Sequence, residues 1–119
     1  MHVEAFRTYC LNKAHVTESF PFDETTLVFK VAGKMFALTG LDRHPFQVNL
    51  KCDPERAITL RETYDGLIIP GYHMSKKHWN TVFFENSLSD DFLKSLIDHS
   101  YDLVVKSLTK KLQKELGFL

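Results

Sequence analysis

Eleven residues from Pro70 to Asn80 concentrate the side chains of this chain best suited to chemistry: its only Trp (Trp79), two of its six His (His73 and His78) and the adjacent pair Lys76 and Lys77. Ammonium groups beside aromatic rings suit an anionic, planar partner. Lys76 and Lys77 are placed to meet phosphates, while Tyr72, His78 and Trp79 offer ring faces to an unstacked base. Lys30 and Lys34 flank an Ala32-Gly33 turn and extend the patch. The expected nucleic-acid-binding set is therefore Lys30, Lys34, Tyr72, His73, Lys76, Lys77, His78 and Trp79. A plainer reading stands beside it: an aromatic at the start of a strand is usually core, and paired lysines are usually solvated surface.

Other chemistries find less support. His73 and His78 lie five apart with no Cys nearby, whereas zinc sites need three or four ligands, so no metal or other cofactor is expected. Cys52 precedes a helix start, where the dipole favours a thiolate, but the adjacent Asp53 carboxylate opposes it and the apolar strand neighbours suggest a small buried thiol. Asp98, His99, Ser100 and Asp102 contain the letters of a hydrolytic triad, yet neighbours along a helix point in different directions and cannot form the relay. No Gly-rich phosphate loop, GxSxG elbow or HExxH is present. The expectation is a protein without catalytic residues, not an enzyme.

The 119 residues suit one domain able to bury about two thirds of its unfolded surface. Lys plus Arg number 15 and Asp plus Glu number 15, so no global positive field draws the chain to nucleic acid, and such binding must come from a local patch. Cys10 and Cys52 show no metal-type spacing, and no charged n-region leads an apolar h-region at the N-terminus, which points to a reduced cytoplasmic setting. Apolar runs such as Leu67 to Pro70 and Leu103 to Val105 fall far short of the roughly 20 residues that span a bilayer, so no membrane partner is expected.

The elements that must position these residues follow from periodicity. Val3, Phe6, Tyr9 and Cys10 share one side of a helix running to about Lys13. Phe20-Pro21-Phe22 is extended and leads to a first strand at Leu27 to Val31, paired through Ala32-Gly33 with a second at Met35 to Leu38. A third strand turns Phe46, Val48 and Leu50 inward. Asp53, Pro54 and Glu55 start a helix to about Tyr64 that Asp65-Gly66 closes. Leu67 to Ile69 and Trp79 to Phe84 return to the sheet. Ser89-Asp90-Asp91 caps a helical tail, one amphipathic helix or two with a bend near His99-Ser100. Within it Tyr101 should pack on the sheet, and Asp102 should bond a backbone group or a nearby His or Lys. The fold class is α+β: an antiparallel sheet against N-terminal, middle and C-terminal helices, ordered α-β-β-β-α-β-β-α, in two layers.

Five dispersed segments together resemble the MmcQ/YjbR-like proteins: Glu18-Ser19-Phe20-Pro21-Phe22; Phe29-Lys30-Val31 with Gly33-Lys34-Met35-Phe36; Asn49-Leu50-Lys51-Cys52-Asp53-Pro54-Glu55; Pro70-Gly71-Tyr72-His73-Met74 with Lys76-Lys77-His78-Trp79; and Ser100-Tyr101-Asp102-Leu103-Val104. The resemblance covers nearly the whole chain in order. It implies a small bacterial α+β domain similar to frataxin-like and type III secretion chaperone-like folds, and a DNA-binding role, the label usually given to that family. Iron binding, which frataxin-like proteins perform through an acidic first helix, is not implied, because Glu4 here stands beside Arg7 and Lys13. The alternative is a protein-interaction or chaperone-like module that accepts an extended peptide at a sheet edge. The apolar stripe of the tail serves a core or a weak homodimer, so the chain is expected to be a monomer or weak dimer.

Overall fold

Apolar residues that alternate along the strands and recur every three or four residues along the helices are buried against one another in two layers. The computed structural model describes residues 1–85 and 87–119. The chain runs α1 (Val3–Leu11), β1 (Val16–Ser19), β2 (Thr26–Val31), β3 (Lys34–Gly40), β4 (Gln47–Lys51), α2 (Pro54–Thr63), β5 (Ile68–Pro70), β6 (Trp79–Phe83), α3 (Asp90–Ser107) and α4 (Lys110–Glu115). The strands form one antiparallel sheet in the order β1-β2-β3-β4-β6-β5. Among the described residues no helix is long and apolar enough to cross a membrane.

Local chemistry sets most boundaries. The β2–β3 hairpin turns at Ala32 and Gly33, both at positive φ (50° and 82°), the two-residue geometry that matches the twist of paired strands. The register then slips between Phe29 and Lys30, and this bulge lets the successive residues Phe36 and Ala37 both enter the main core. Asp53, Ser89 and Thr109 each accept a bond from a backbone N–H in the first turn of α2, α3 and α4.

Two features depart from the expected order. Strand β1 was not anticipated, because Val16-Thr17-Glu18-Ser19 carries only one large apolar side chain. It holds the sheet edge through backbone pairing with β2 and through the bidentate pair of Arg7 on α1 with Glu18. The tail is two helices, but α3 runs unbroken through His99 and Ser100. The break falls at Leu108, which is extended (φ −69°, ψ 155°), because Thr109 opens α4 as its cap and buried Gln113 donates back to the Leu108 carbonyl at 2.8 Å.

The helices cover one face of the sheet. Phe6 of α1 lies edge-on to Phe29, Phe46 and Phe84 at centroid distances of 5.3, 5.8 and 5.5 Å. Helix α1 is clamped to α3: the Tyr9 hydroxyl donates to Asp98 at 2.7 Å, Lys13 pairs with the same carboxylate at 2.5 Å, and the Tyr101 hydroxyl donates to the Ala14 carbonyl at 2.6 Å. Burial, reinforced by the Asp98 bond, pushes the Tyr9 phenol up to about 12, so it remains a donor at any ordinary pH. Tyr101 packs on Phe36 at 5.4 Å as expected. Asp102 does not follow its expected role: it is exposed, with no side-chain hydrogen bond among the described residues.

Ser100 is a structural bridge. Fully buried, it donates to the Phe36 carbonyl at 2.5 Å and accepts from the Lys51 N–H at 2.9 Å, joining α3 to β3 and β4. Ser100→Ala leaves both backbone groups without that partner and is expected to lower unfolding free energy by about 1–3 kcal/mol in urea denaturation. A loss under about 0.5 kcal/mol, the usual effect of a surface change, would mean the bridge contributes little.

Candidate functional site

The sheet face turned away from the helices has a small apolar cluster of its own. Val28, Leu38 and Trp79 are buried there, with Met35 and Met74 packed against them. The strand pairings put Lys30 beside Met35 and Lys51 beside Trp79 on this same face, and Asn49 beside Thr81. No helix covers it. The segment from Gly71 to His78 folds across instead.

Four residues fix that segment. Gly71 donates to the Trp79 carbonyl at 2.9 Å, and a Cβ at Gly71 would lie 2.8 Å from Trp79 Cβ, so only glycine allows the approach. The Tyr72 N–H donates to Thr81 Oγ1 at 3.0 Å, while Asn49 Nδ2 donates to the Tyr72 carbonyl at 3.2 Å and Asn49 Oδ1 accepts from Thr81 at 2.5 Å. Arg61 of α2 donates to the carbonyls of Lys76 and Trp79 and, at 2.7 Å, to Oδ1 of buried Asn80. His73 sits at φ 58°, a left-handed conformation that costs a residue with a Cβ about 1 kcal/mol or more.

Between this segment and the β1–β2 connection lies a cavity of about 400 Å³. Met35, Leu38 and Met74 form apolar walls, Gln47 and Asn49 supply amides, and Phe22 and Tyr72 stand at the rim with 64 % and 45 % of their surface exposed. The Arg43 guanidinium lies 4.1 Å from the Tyr72 ring centre, and the His73 ring is 4.0 Å from it on centres. Asp23 also lines the cavity. Backbone N–H groups of Thr26 and Thr25 bond its carboxylate and hold it below the usual carboxylate range.

The structure distributes the expected site residues unevenly. Tyr72, His73, Lys76, Lys77 and His78 are exposed together on the covering segment, and Lys30 lies on the open face. Lys34 pairs with Val31, a main-core residue, so the register turns it toward the helix side, away from Lys30. Trp79 is only 8 % exposed and belongs to the small cluster, leaving no ring face for a ligand. Lys51, Arg43, Phe22 and Gln47 complete the surface and were not anticipated. Strand alternation at Phe46 to Leu50 carried the signal for Lys51 and Gln47, since whatever faces away from the core must face this side.

Charge is divided between the two faces. Among the described residues, Glu18 is the single acidic residue within a strand, and its pairing with main-core Phe29 and its bond to Arg7 place it on the helix side. The open-facing strand positions thus carry Lys30 and Lys51 and no carboxylate. No group of three or more His, Cys, Asp or Glu stands close enough to hold a metal ion among these residues. Both thiols are buried and raised chiefly by that burial, Cys10 to about 12. Near Cys52, the His99 ring accepts the Asp53 N–H at 3.1 Å, and burial and then Arg56 hold its pKa below the ordinary value, against the opposing Asp53 and Asp102.

Residues 11–103 match the model of the YjbR family. The chain belongs to that family. It is 38% identical over 111 residues to the uncharacterised protein YbdF of Escherichia coli O157:H7, covering 93% of this chain and 90% of that one. It is 31% identical over 114 residues to the uncharacterised protein YjbR of Escherichia coli K12, covering 96% of each. The crystal structure of a Deinococcus radiodurans protein with a DUF419 domain superposes with a TM-score of 0.91 at 43% identity, over 96% of this chain and 86% of that one. A Pseudomonas syringae protein gives a TM-score of 0.73 at 28% identity, over 87% and 98%.

Two outcomes follow from this geometry. Gly71→Ala forces the covering segment off Trp79 and is expected to cost about 1–3 kcal/mol, with a red shift of Trp79 fluorescence as the ring meets water; an unshifted spectrum would mean the contact relaxes without moving the segment. For His99, the unfolded chain binds a proton more readily than the folded one, so the stability tied to the neutral ring is full above about pH 6.5 and lost as pH falls below it. His99→Gln should flatten the decline in stability between about pH 7 and 5.5, measured by urea denaturation at each pH; parallel curves for the two proteins would exclude His99 as its source.

Proposed function

We propose that the protein binds DNA across the open sheet face. The observation that supports this most is the division of charge: a chain with no net charge turns Lys30, Lys51 and Arg43 toward a surface whose strands present no carboxylate, with Lys76 and Lys77 exposed on its border. Lysines meet phosphates as point charges, and Arg43 adds a planar donor beside an exposed ring. The local field replaces the global one. Its reach is short, about 8–10 Å at moderate salt, so association gains little long-range steering and binding should weaken steeply as salt rises.

A second reading rests on the sheet edge. Among the described residues β1 pairs only with β2, and beside it Phe20 and Leu41 are exposed near Val3 and Arg7, a setting for an extended peptide. Salt separates the readings, since an apolar or strand-addition contact responds little to it.

The test is fluorescence anisotropy of labelled DNA at low and near-physiological salt, with wild type, Lys30→Ala/Lys51→Ala and Lys76→Ala/Lys77→Ala. Saturable binding is expected, with the slope of log affinity against log salt falling by about one for each contacting lysine removed. No binding at low salt would overturn the nucleic-acid reading, and binding that both double variants retain with an unchanged slope would move it off this face.

A further inference from the structure

The cavity on the open face has the build of a pocket for one planar group rather than of a groove for a duplex. Its volume, about 400 Å³, sits near the lower end of the roughly 300–1,000 Å³ of small-molecule sites. Phe22 and Tyr72 reach it from connections on opposite sides of the β2-β3-β4-β6 strands, the first between β1 and β2, the second between β5 and β6. A wall of Met35, Leu38 and Met74 closes the depth with soft apolar surface, which accepts a flat ring.

Resting on the DNA-binding reading, we propose that this cavity is a base pocket: single-stranded DNA crosses the open face with one unstacked base seated against Phe22 and Tyr72, and with flanking phosphates on Arg43 and Lys30. A base inside a duplex is stacked and paired and cannot enter, so the pocket selects single strands. The polar groups facing it are largely committed to the protein. Asn49 bonds Thr81 and Tyr72, Thr39 donates to the Gln47 carbonyl, Gln47 Nε2 donates to the Pro45 carbonyl, and Asp23 is bonded by Thr25 and Thr26. With its amides and the Asp23 carboxylate so engaged and Arg43 set on a phosphate, few groups beyond the Tyr72 hydroxyl and the His73 ring remain to meet a base edge, so the pocket holds a base chiefly by its faces and binding tolerates sequence.

Anisotropy with three labelled probes of equal length tests this: a single strand, a duplex, and a single strand of abasic residues carrying the same phosphates. Wild type is expected to bind the intact single strand at least about tenfold more tightly than either other probe. Phe22→Ala/Tyr72→Ala is expected to lose about tenfold to hundredfold of that affinity, with its melting temperature unchanged. Equal affinity of wild type for the abasic and intact strands would overturn the base pocket while leaving lysine-dependent binding in place. Absence of salt-sensitive binding by all three probes would remove the DNA reading and the pocket with it.

Discussion

The open face depends on the burial of one ring. Trp79 lies against Val28 and Leu38 on the side of the sheet turned away from the helices, and Met35 and Met74 close over it. Truncating a buried aromatic typically costs about 3–5 kcal/mol, so this small cluster carries weight well beyond its size. It also fixes function-bearing neighbours: because Gly71 is pressed on Trp79 and Thr81 holds Tyr72, the exposed groups from Tyr72 to His78 sit on a positioned segment rather than on a free loop. Arg61 extends this control to α2, tying the Lys76 and Trp79 carbonyls to buried Asn80.

Bulk composition conceals what the sheet separates. The helical layer mixes both signs, with Lys94 and Lys106 among the acids of α3 and Lys110, Lys111 and Lys114 on α4; along the described strands, Glu18 turns to Arg7 on that side, while Lys30 and Lys51 face the open side without a strand carboxylate beside them. A period of two is enough to do this, since each strand sends alternate residues to opposite faces. Net charge therefore says little about one sheet face whose strand positions carry lysines and no carboxylate.

Much of this was legible in the residues, and the rest was hidden for identifiable reasons. Alternation at Phe46 to Leu50, the caps at Asp53 and Ser89, and the hairpin at Ala32-Gly33 each rest on local chemistry and stand in the structure as read. Strand β1 rests on pairing with β2, which its own four residues do not reveal. The break at Leu108 hid because Leu108, Leu112 and Leu116 continue the four-residue rhythm straight across it. For the site, Tyr72, His73, Lys76, Lys77 and His78 are exposed together, but Lys34 takes the opposite face from Lys30 through its pairing with Val31, and the cavity joins Phe22, Arg43 and Tyr72 from three separate connections. Such convergence is a property of topology, absent from any window of sequence.

The clamp between the first helix and α3 also bears on how the molecule is made. Phe6 meets Phe29 and Phe46 of the meander, but its ring is enclosed only when Phe84 joins the same cluster. The meander from β1 to β4 contains only neighbouring pairings, whereas β6 pairs with β4 across the intervening α2 and β5, and the contacts that close α3 over the α1 end span more than 80 residues, among the longest loops the fold must close. Closure of the helical layer is therefore the most non-local step of the fold, since it joins elements from opposite ends of this domain.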